Sequence, residues 1–174
     1  MQSHTAPHAC FFAGESSTVM SASPENFLTI KQCIIATDPI KGTQPRGATL
    51  REDKRLGQLL LNSEKDRAEN LMIVDLPRND LGAVCVPGSI TAAPLFELKR
   101  FSPVTPLVSP VDGQLRPDVS PVEALLACFP GGSITGAPKQ RVLEIIQALE
   151  STPRDAYCGS FFVLDHRGNL NANL

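Results

Sequence analysis

Thr18-Val19-Met20-Ser21-Ala22-Ser23-Pro24-Glu25-Asn26-Phe27-Leu28-Thr29-Ile30-Lys31-Gln32-Cys33-Ile34-Ile35-Ala36-Thr37-Asp38-Pro39-Ile40 decides the fold class. Three short runs (18–21, 27–30 and 33–36) are rich in β-branched and apolar residues, and two polar breaks, Pro24-Glu25-Asn26 and Lys31-Gln32, separate them. Short strands joined by tight turns read as a meander, with the strand-like pattern extending back to Phe11. Beyond a polar loop over 44–52 the period changes. Leu56, Leu59 and Leu60, then Ala68, Leu71 and Met72, recur at helical spacing. Ser63-Glu64-Lys65-Asp66 restarts the helix as a capping sequence with Asp at the third position, and Pro77 predicts a stop at Leu76. Val84-Cys85-Val86, Leu95 to Phe101 and Leu107-Val108 read as further strands.

Ser120-Pro121-Val122-Glu123 is a full helix start, with the helix running to about Phe129. A last helix opens near Pro138, with Val142, Ile145, Ile146 and Leu149 on one face. Ser160 to Leu164 is a strand, and Gly168-Asn169 turns into its partner. Strands and helices mix without strict βαβ alternation, so the class is α+β with antiparallel sheets. Residues 1–9 form a loose lead-in. Residues 1–17 are expected to hold that lead-in and a first strand, and residues 18–174 one domain. The last hairpin partner stops within a few residues, so the chain is expected to be a piece of something longer.

The 174 residues suffice for one real core, and 16 basic against 18 acidic residues, well mixed, give no footprint for nucleic acid or an acidic membrane surface. Aromatic content of 5%, with no Trp, argues against base-stacking or sugar-binding platforms. No apolar run is long enough to span a bilayer, and the first nine residues do not read as a secretory signal. The five cysteines are odd in number and lack a C-x-x-C, so they are expected to be reduced and mostly buried in a cytoplasmic protein. His4 and His8 have helical spacing but flank Pro7, which favours a solvated tail over a metal site.

Four segments can carry chemistry. In Pro39-Ile40-Lys41-Gly42-Thr43 a lysine sits between a residue that fixes φ and one that frees it. That suits a positioned, partly desolvated nucleophilic amine, and it equally suits a solvated turn lysine. Phe129-Pro130-Gly131-Gly132-Ser133-Ile134-Thr135-Gly136-Ala137-Pro138-Lys139 exposes backbone N–H groups before a helix, a place for a small carboxylate or simply a glycine-rich turn. A P-loop is excluded, because Ala137 stands where its lysine belongs and no Ser or Thr follows. Asp66 and Glu69 share a helix face, as hard ligands for Mg²⁺ or as a charged surface paired with Lys65 and Arg67. Glu25 precedes Lys41 across the meander and gains interest as its acid–base companion.

The strings SPENF (23–27), PIKGT (39–43), EKDRAENLMIVDLPRNDLG (64–82) and FPGGSITGAPK (129–139), in that order, closely resemble the chorismate-utilising enzymes. This is the family of anthranilate, aminodeoxychorismate, isochorismate and salicylate synthases. The resemblance runs from Val19 to the C-terminus and implies part of a two-layer α/β sandwich with antiparallel sheets. A lysine in PIKGT resembles component I of aminodeoxychorismate synthase, whereas anthranilate synthases typically carry alanine there. The resemblance implies amination of chorismate to 4-amino-4-deoxychorismate, on the way to para-aminobenzoate and folate. Lys41 would be the nucleophile and Glu25 the general acid. Gly132, Ser133, Thr135 and Gly136 would line the carboxylate site. Glu69, with Asp66 as a weaker partner, would hold Mg²⁺, and ammonia would come from a glutamine amidotransferase subunit.

Departures from the family pattern stand beside this. Pro106 replaces a histidine, Val163 a tyrosine, Asn171 lies in an altered run, and Ala83 and Asp38 occupy places often held by arginine. The chain also stops before the family's second glycine-rich loop and its remaining metal-binding glutamates. These features favour a catalytically inactive fragment as one alternative; anthranilate synthase component I is the other, and Lys41 argues against it.

Overall fold

The structure, a computed structural model, describes residues 6–174. In chain order it has strands β1 (His8–Ala13), β2 (Thr18–Ser23), β3 (Asn26–Lys31), β4 (Ile34–Thr37) and β5 (Ile40–Pro45). Helices α1 (Leu50–Asn62) and α2 (Glu64–Gly82) follow, then β6 (Glu97–Leu98), β7 (Val104–Val108) and β8 (Val111–Gln114). The chain continues through α3 (Pro121–Cys128), α4 (Gly132–Thr135), α5 (Lys139–Leu149), β9 (Phe162–Leu164) and β10 (Leu170–Asn173). His4 lies outside the described residues. His8 opens β1, which forms an antiparallel hairpin with β2, so the lead-in becomes strand before residue 9.

All strand pairs are antiparallel. A five-stranded sheet has the order β8-β4-β3-β10-β9, and a three-stranded sheet the order β5-β7-β6. The β3–β4 turn falls at Gln32 and Cys33, both at positive φ (51° and 63°), as a two-residue hairpin matched to strand twist requires. Cys33 is therefore an exposed turn residue, not the start of a strand. Cys10 and Cys158 are half-buried, and only Cys85 and Cys128 are buried, where most of the five were expected to be.

One core fills the space between the five-stranded sheet and the helices. Leu28 and Ile30 of β3, Ile35 of β4, Val111 of β8 and Leu170 and Ala172 of β10 meet Val74 and Leu81 of α2 and Ala124, Leu125 and Cys128 of α3. Each fully buried Leu or Ile contributes about 1.5–3 kcal/mol, so this layer outweighs local propensities. Pro77 shows it. The helix does not stop at Leu76 but runs through the proline to Gly82. Pro77 deprives the Ile73 carbonyl of its N–H partner, a cost of about 3 kcal/mol, and the burial of Ile73, Val74 and Leu81 on either side offsets it.

The predicted caps are present. Ser63 accepts from the Asp66 amide, and Ser120 and Glu123 form a complete capping box behind Pro121. Two expected strands shrink. Val84-Cys85-Val86 keeps a single bridge, Cys85 to Leu115, and Leu95 to Phe101 keeps only β6, because Phe96 turns to φ 63°. The apolar face of α5 is only partly covered. Val142 and Ile146 are half-buried, while Leu149 is 79% exposed. Among the described residues, no helix is long and apolar enough to cross a membrane.

Candidate active site

Glu25 lies in the two-residue link between β2 and β3. Ser23 fixes it: the Glu25 amide donates to Ser23 Oγ at 3.1 Å, and that hydroxyl donates to the Glu25 carbonyl at 3.3 Å. The Glu25 carboxylate accepts a hydrogen bond from the Ser133 hydroxyl at 3.0 Å, across 108 residues of chain. Burial pushes the Glu25 carboxyl above its ordinary range. The Ser133 hydroxyl, the Ile40 backbone and the Lys41 charge pull it back only in part. Glu25 and Ser133, both singled out in the sequence, therefore meet, and the strand that carries Lys41 passes beside them at Ile40.

Lys41 sits on a bulged strand rather than in a turn. Between Ile40↔Val108 and Thr43↔Pro106 the β5–β7 ladder shifts register, so Lys41 and Gly42 together face Leu107. Gly42 adopts φ 85°, and a Cβ there would come within 3.0 Å of Asp66 Cβ and 3.2 Å of its Oδ1. Glycine is required at this spot, and its absent side chain lets α2 bring Asp66 against the lysine strand. The Lys41 side chain itself is exposed. The partial desolvation expected of a nucleophilic lysine is not supplied by the packing of the described residues.

Glu69 follows Asp66 on the same helix face and lies 3.9 Å from Lys65, a loose surface pair. Among the described residues no group of three or more His, Cys, Asp or Glu could hold a metal ion. Two carboxylates without nitrogen or sulfur neighbours are nonetheless the donor chemistry of Mg²⁺, which keeps waters and takes further oxygens from an anionic ligand.

The glycine-rich loop folds as the short helix α4 between two bends. Gly132 permits close approach to α2, since a Cβ there would stand 2.8 Å from Leu76. Gly136 closes α4 at φ 89°. The Thr135 hydroxyl donates inward to the Gly131 carbonyl at 3.2 Å, so it holds the loop's shape. Of the loop's two hydroxyls, Ser133 is the one that reaches a predicted site residue outside the loop.

Five residues not assigned a role from the sequence complete the surroundings. Lys139 Nζ donates to Asp80 Oδ2 at 2.6 Å and to the Cys128 carbonyl at 2.8 Å, tying the loop's exit to α2 and α3. Burial raises the Asp80 carboxyl, partly countered by Lys139, and pushes the neighbouring Cys128 thiol up to about 12. Glu25, Asp80, Cys128, Gly132 and Ser133 line one cavity of about 30 Å³, room for about one water. Asn70 and Ser109, both buried, lie under the Lys41 strand. Asn70 carried a readable signal, being a polar residue one turn after Asp66 and leading into the apolar run 71–74. Lys139 carried none beyond ending the glycine motif.

The departing positions are also placed. Pro106 is buried in β7 opposite Thr43, and Val163 is 73% exposed on the edge strand β9. The Asn171 amide donates to Thr29 Oγ1 at 3.2 Å. Asp38 pairs with Lys99 at 3.2 Å, and Ala83 caps α2.

Comparison with known proteins shows the family. The family model described as chorismate binding enzyme matches residues 1–174. Aminodeoxychorismate synthase component 1 of Klebsiella aerogenes is 47% identical over 173 residues, covering 99% of this chain and 38% of the relative. Aminodeoxychorismate synthase of Streptomyces griseus is 51% identical over 170 residues, covering 97% of this chain and 24% of the relative. Anthranilate synthase component I from Streptococcus pneumoniae superposes with a TM-score of 0.87 at 33% identity, over 98% of this chain and 37% of that one. The chain thus spans well under half the length of these relatives. It belongs to the family of chorismate binding enzymes.

Proposed function

We propose that this chain carries the amination chemistry of an aminodeoxychorismate synthase, converting chorismate to 4-amino-4-deoxychorismate. The observation that carries the reading is the convergence of Lys41, Glu25 and Ser133 from three separate segments. Lys41 Nζ adds to the chorismate ring, forming a C–N bond as the C–O bond to the ring hydroxyl breaks. Glu25, its carboxyl kept protonated to higher pH by burial, gives its proton to the departing hydroxyl, which leaves as water. Ammonia then displaces the lysine, returning the amine and leaving the aminated ring. Ser133 holds the Glu25 carboxyl in place, and the Gly132–Ser133 end of the loop would line the site of a substrate carboxylate.

Asp66 and Glu69 would hold a Mg²⁺, which when bound neutralises a substrate carboxylate and polarises the ring. A glutamine amidotransferase subunit would supply ammonia, in keeping with the name component 1 of the Klebsiella relative. Five free thiols fit a reducing, cytoplasmic compartment.

The test is product analysis of the chain with chorismate, Mg²⁺ and ammonium, beside Lys41→Ala and Glu25→Gln. Amino-deoxychorismate from the parent chain, background product from Lys41→Ala and a loss of about 10²–10⁴-fold for Glu25→Gln support the reading. Anthranilate as product would place the chain with the structural neighbour instead, and absence of any turnover would refute the proposal.

A further inference from the structure

Two carbonyl groups flank the bulge that carries Lys41, one on each strand. Both are taken by one side chain. Asn70 Nδ2 donates to the Lys41 carbonyl at 3.3 Å and to the Leu107 carbonyl at 3.2 Å. Leu107 is the residue that faces Lys41 and Gly42 across the bulge, so the Asn70 amide bridges the two strands where the ladder is interrupted. The amide is itself fixed. Ser109 Oγ donates to Asn70 Oδ1 at 2.5 Å, and the Phe96 amide donates to Ser109 Oγ at 2.9 Å. Asn70 and Ser109 are 1% and 0% exposed, so these two side chains lack water as a substitute partner.

We propose that Asn70 is a positioning residue for Lys41, an amide plug that holds the bulge in the one register that presents the lysine toward Glu25. The proposal rests on Lys41 being the reactive amine and goes beyond it. Asn70 lies on α2 one residue after Glu69 and four after Asp66. The same helix that would hold the metal therefore also sets the lysine strand, and the distance between the two halves of the site is fixed by one side chain. A bulge without such a plug can relax into the regular ladder. A one-residue slip would turn Lys41 to the other face of β5. Ser109 contributes by orienting the amide so that its NH₂, not its oxygen, meets the two carbonyls.

The test compares the parent chain with Asn70→Ala and with the milder Ser109→Ala, by residue-resolved amide hydrogen exchange and by steady-state amination of chorismate with ammonium and Mg²⁺. Asn70→Ala is expected to raise exchange across residues 40–44 about tenfold or more while Leu28 and Ile35 stay within about twofold. It should lower kcat about 10²-fold with KM changed less than about threefold. Ser109→Ala should show the same local pattern at smaller amplitude, and it decides the matter if Asn70→Ala does not fold. Unchanged exchange at residues 40–44 overturns the proposal. So does a uniform rise through the whole core, which would make Asn70 a stability residue only. Local loosening with kcat unchanged overturns it too. If the parent chain does not turn over chorismate, the amination reading fails, while the exchange pattern still decides whether Asn70 plugs the bulge.

Discussion

Replacing Lys139 by methionine separates two contributions that the structure places on one ammonium group. Lys139 and Asp80 meet at 2.6 Å with side chains only 21% and 12% exposed, and the same ammonium donates to the Cys128 carbonyl. Loss of the second bond costs about 1 kcal/mol at every pH. Loss of the first leaves Asp80 as a lone, mostly buried carboxylate, about 2–4 kcal/mol given the residual exposure. That second part depends on pH. The folded-state Asp80 carboxyl already lies above its ordinary value of 3.8, with burial raising it and Lys139 lowering it. Removing Lys139 raises it further. A carboxyl raised in the folded state stabilises fully below its unfolded value, and that contribution is lost as pH rises through the folded one. The gap between parent and Lys139→Met is therefore small near about pH 4 and widens toward about pH 8. Urea denaturation at several pH values measures it, and a second substitution, Asp80→Asn, should recover the pH-dependent part in the double variant. A gap that stays constant with pH, or a double variant as damaged as the sum of the singles, would refute the reasoning.

Ser133→Ala removes one of the groups that hold the Glu25 carboxyl down, so Glu25 stays protonated to higher pH. The alkaline limb of the amination rate should move upward in a pH–rate profile, and a limb that stays put or moves down would show that Ser133 does not act on Glu25. Gly42→Ala places a side chain at φ 85° and within 3.0 Å of Asp66, which should cost about 1–3 kcal/mol in urea denaturation and slow amination, whereas a neutral effect would mean the bulge is not held as described.

The secondary structure was legible wherever local chemistry and burial agree. Ser120-Pro121-Val122-Glu123 specifies a helix start in four residues, and the alternation around Leu28 and Ile35 specifies strands that face a core. Pro77 misled because the burial that carries α2 through it comes from strands distant in sequence. Leu95 to Phe101 misled because Phe96 turns to positive φ and gives its amide to Ser109 Oγ, leaving only Glu97 and Leu98 to pair. The site followed the same division. Lys41, Glu25 and Ser133 were recognisable as motif members, but the hydrogen bond between Glu25 and Ser133 exists only once 108 residues fold back. Asn70 and Lys139 act through backbone carbonyls and a buried carboxylate, partners that no local spacing reveals. The bulge at Lys41 was hinted at by Gly42 alone, because register is set jointly by both strands.

The covalent role of Lys41 can be read directly by mass. The chain is mixed with chorismate and Mg²⁺ in the absence of ammonia, quenched, and mapped by peptide mass spectrometry. Attack by the amine with loss of water leaves the ring carbons on the lysine, so an adduct of chorismate less one water should appear on the peptide bearing Lys41, be absent from Lys41→Ala, and disappear when ammonium is added. Amination product formed without any such adduct, or an adduct carried by another residue, would contradict Lys41 as the nucleophile.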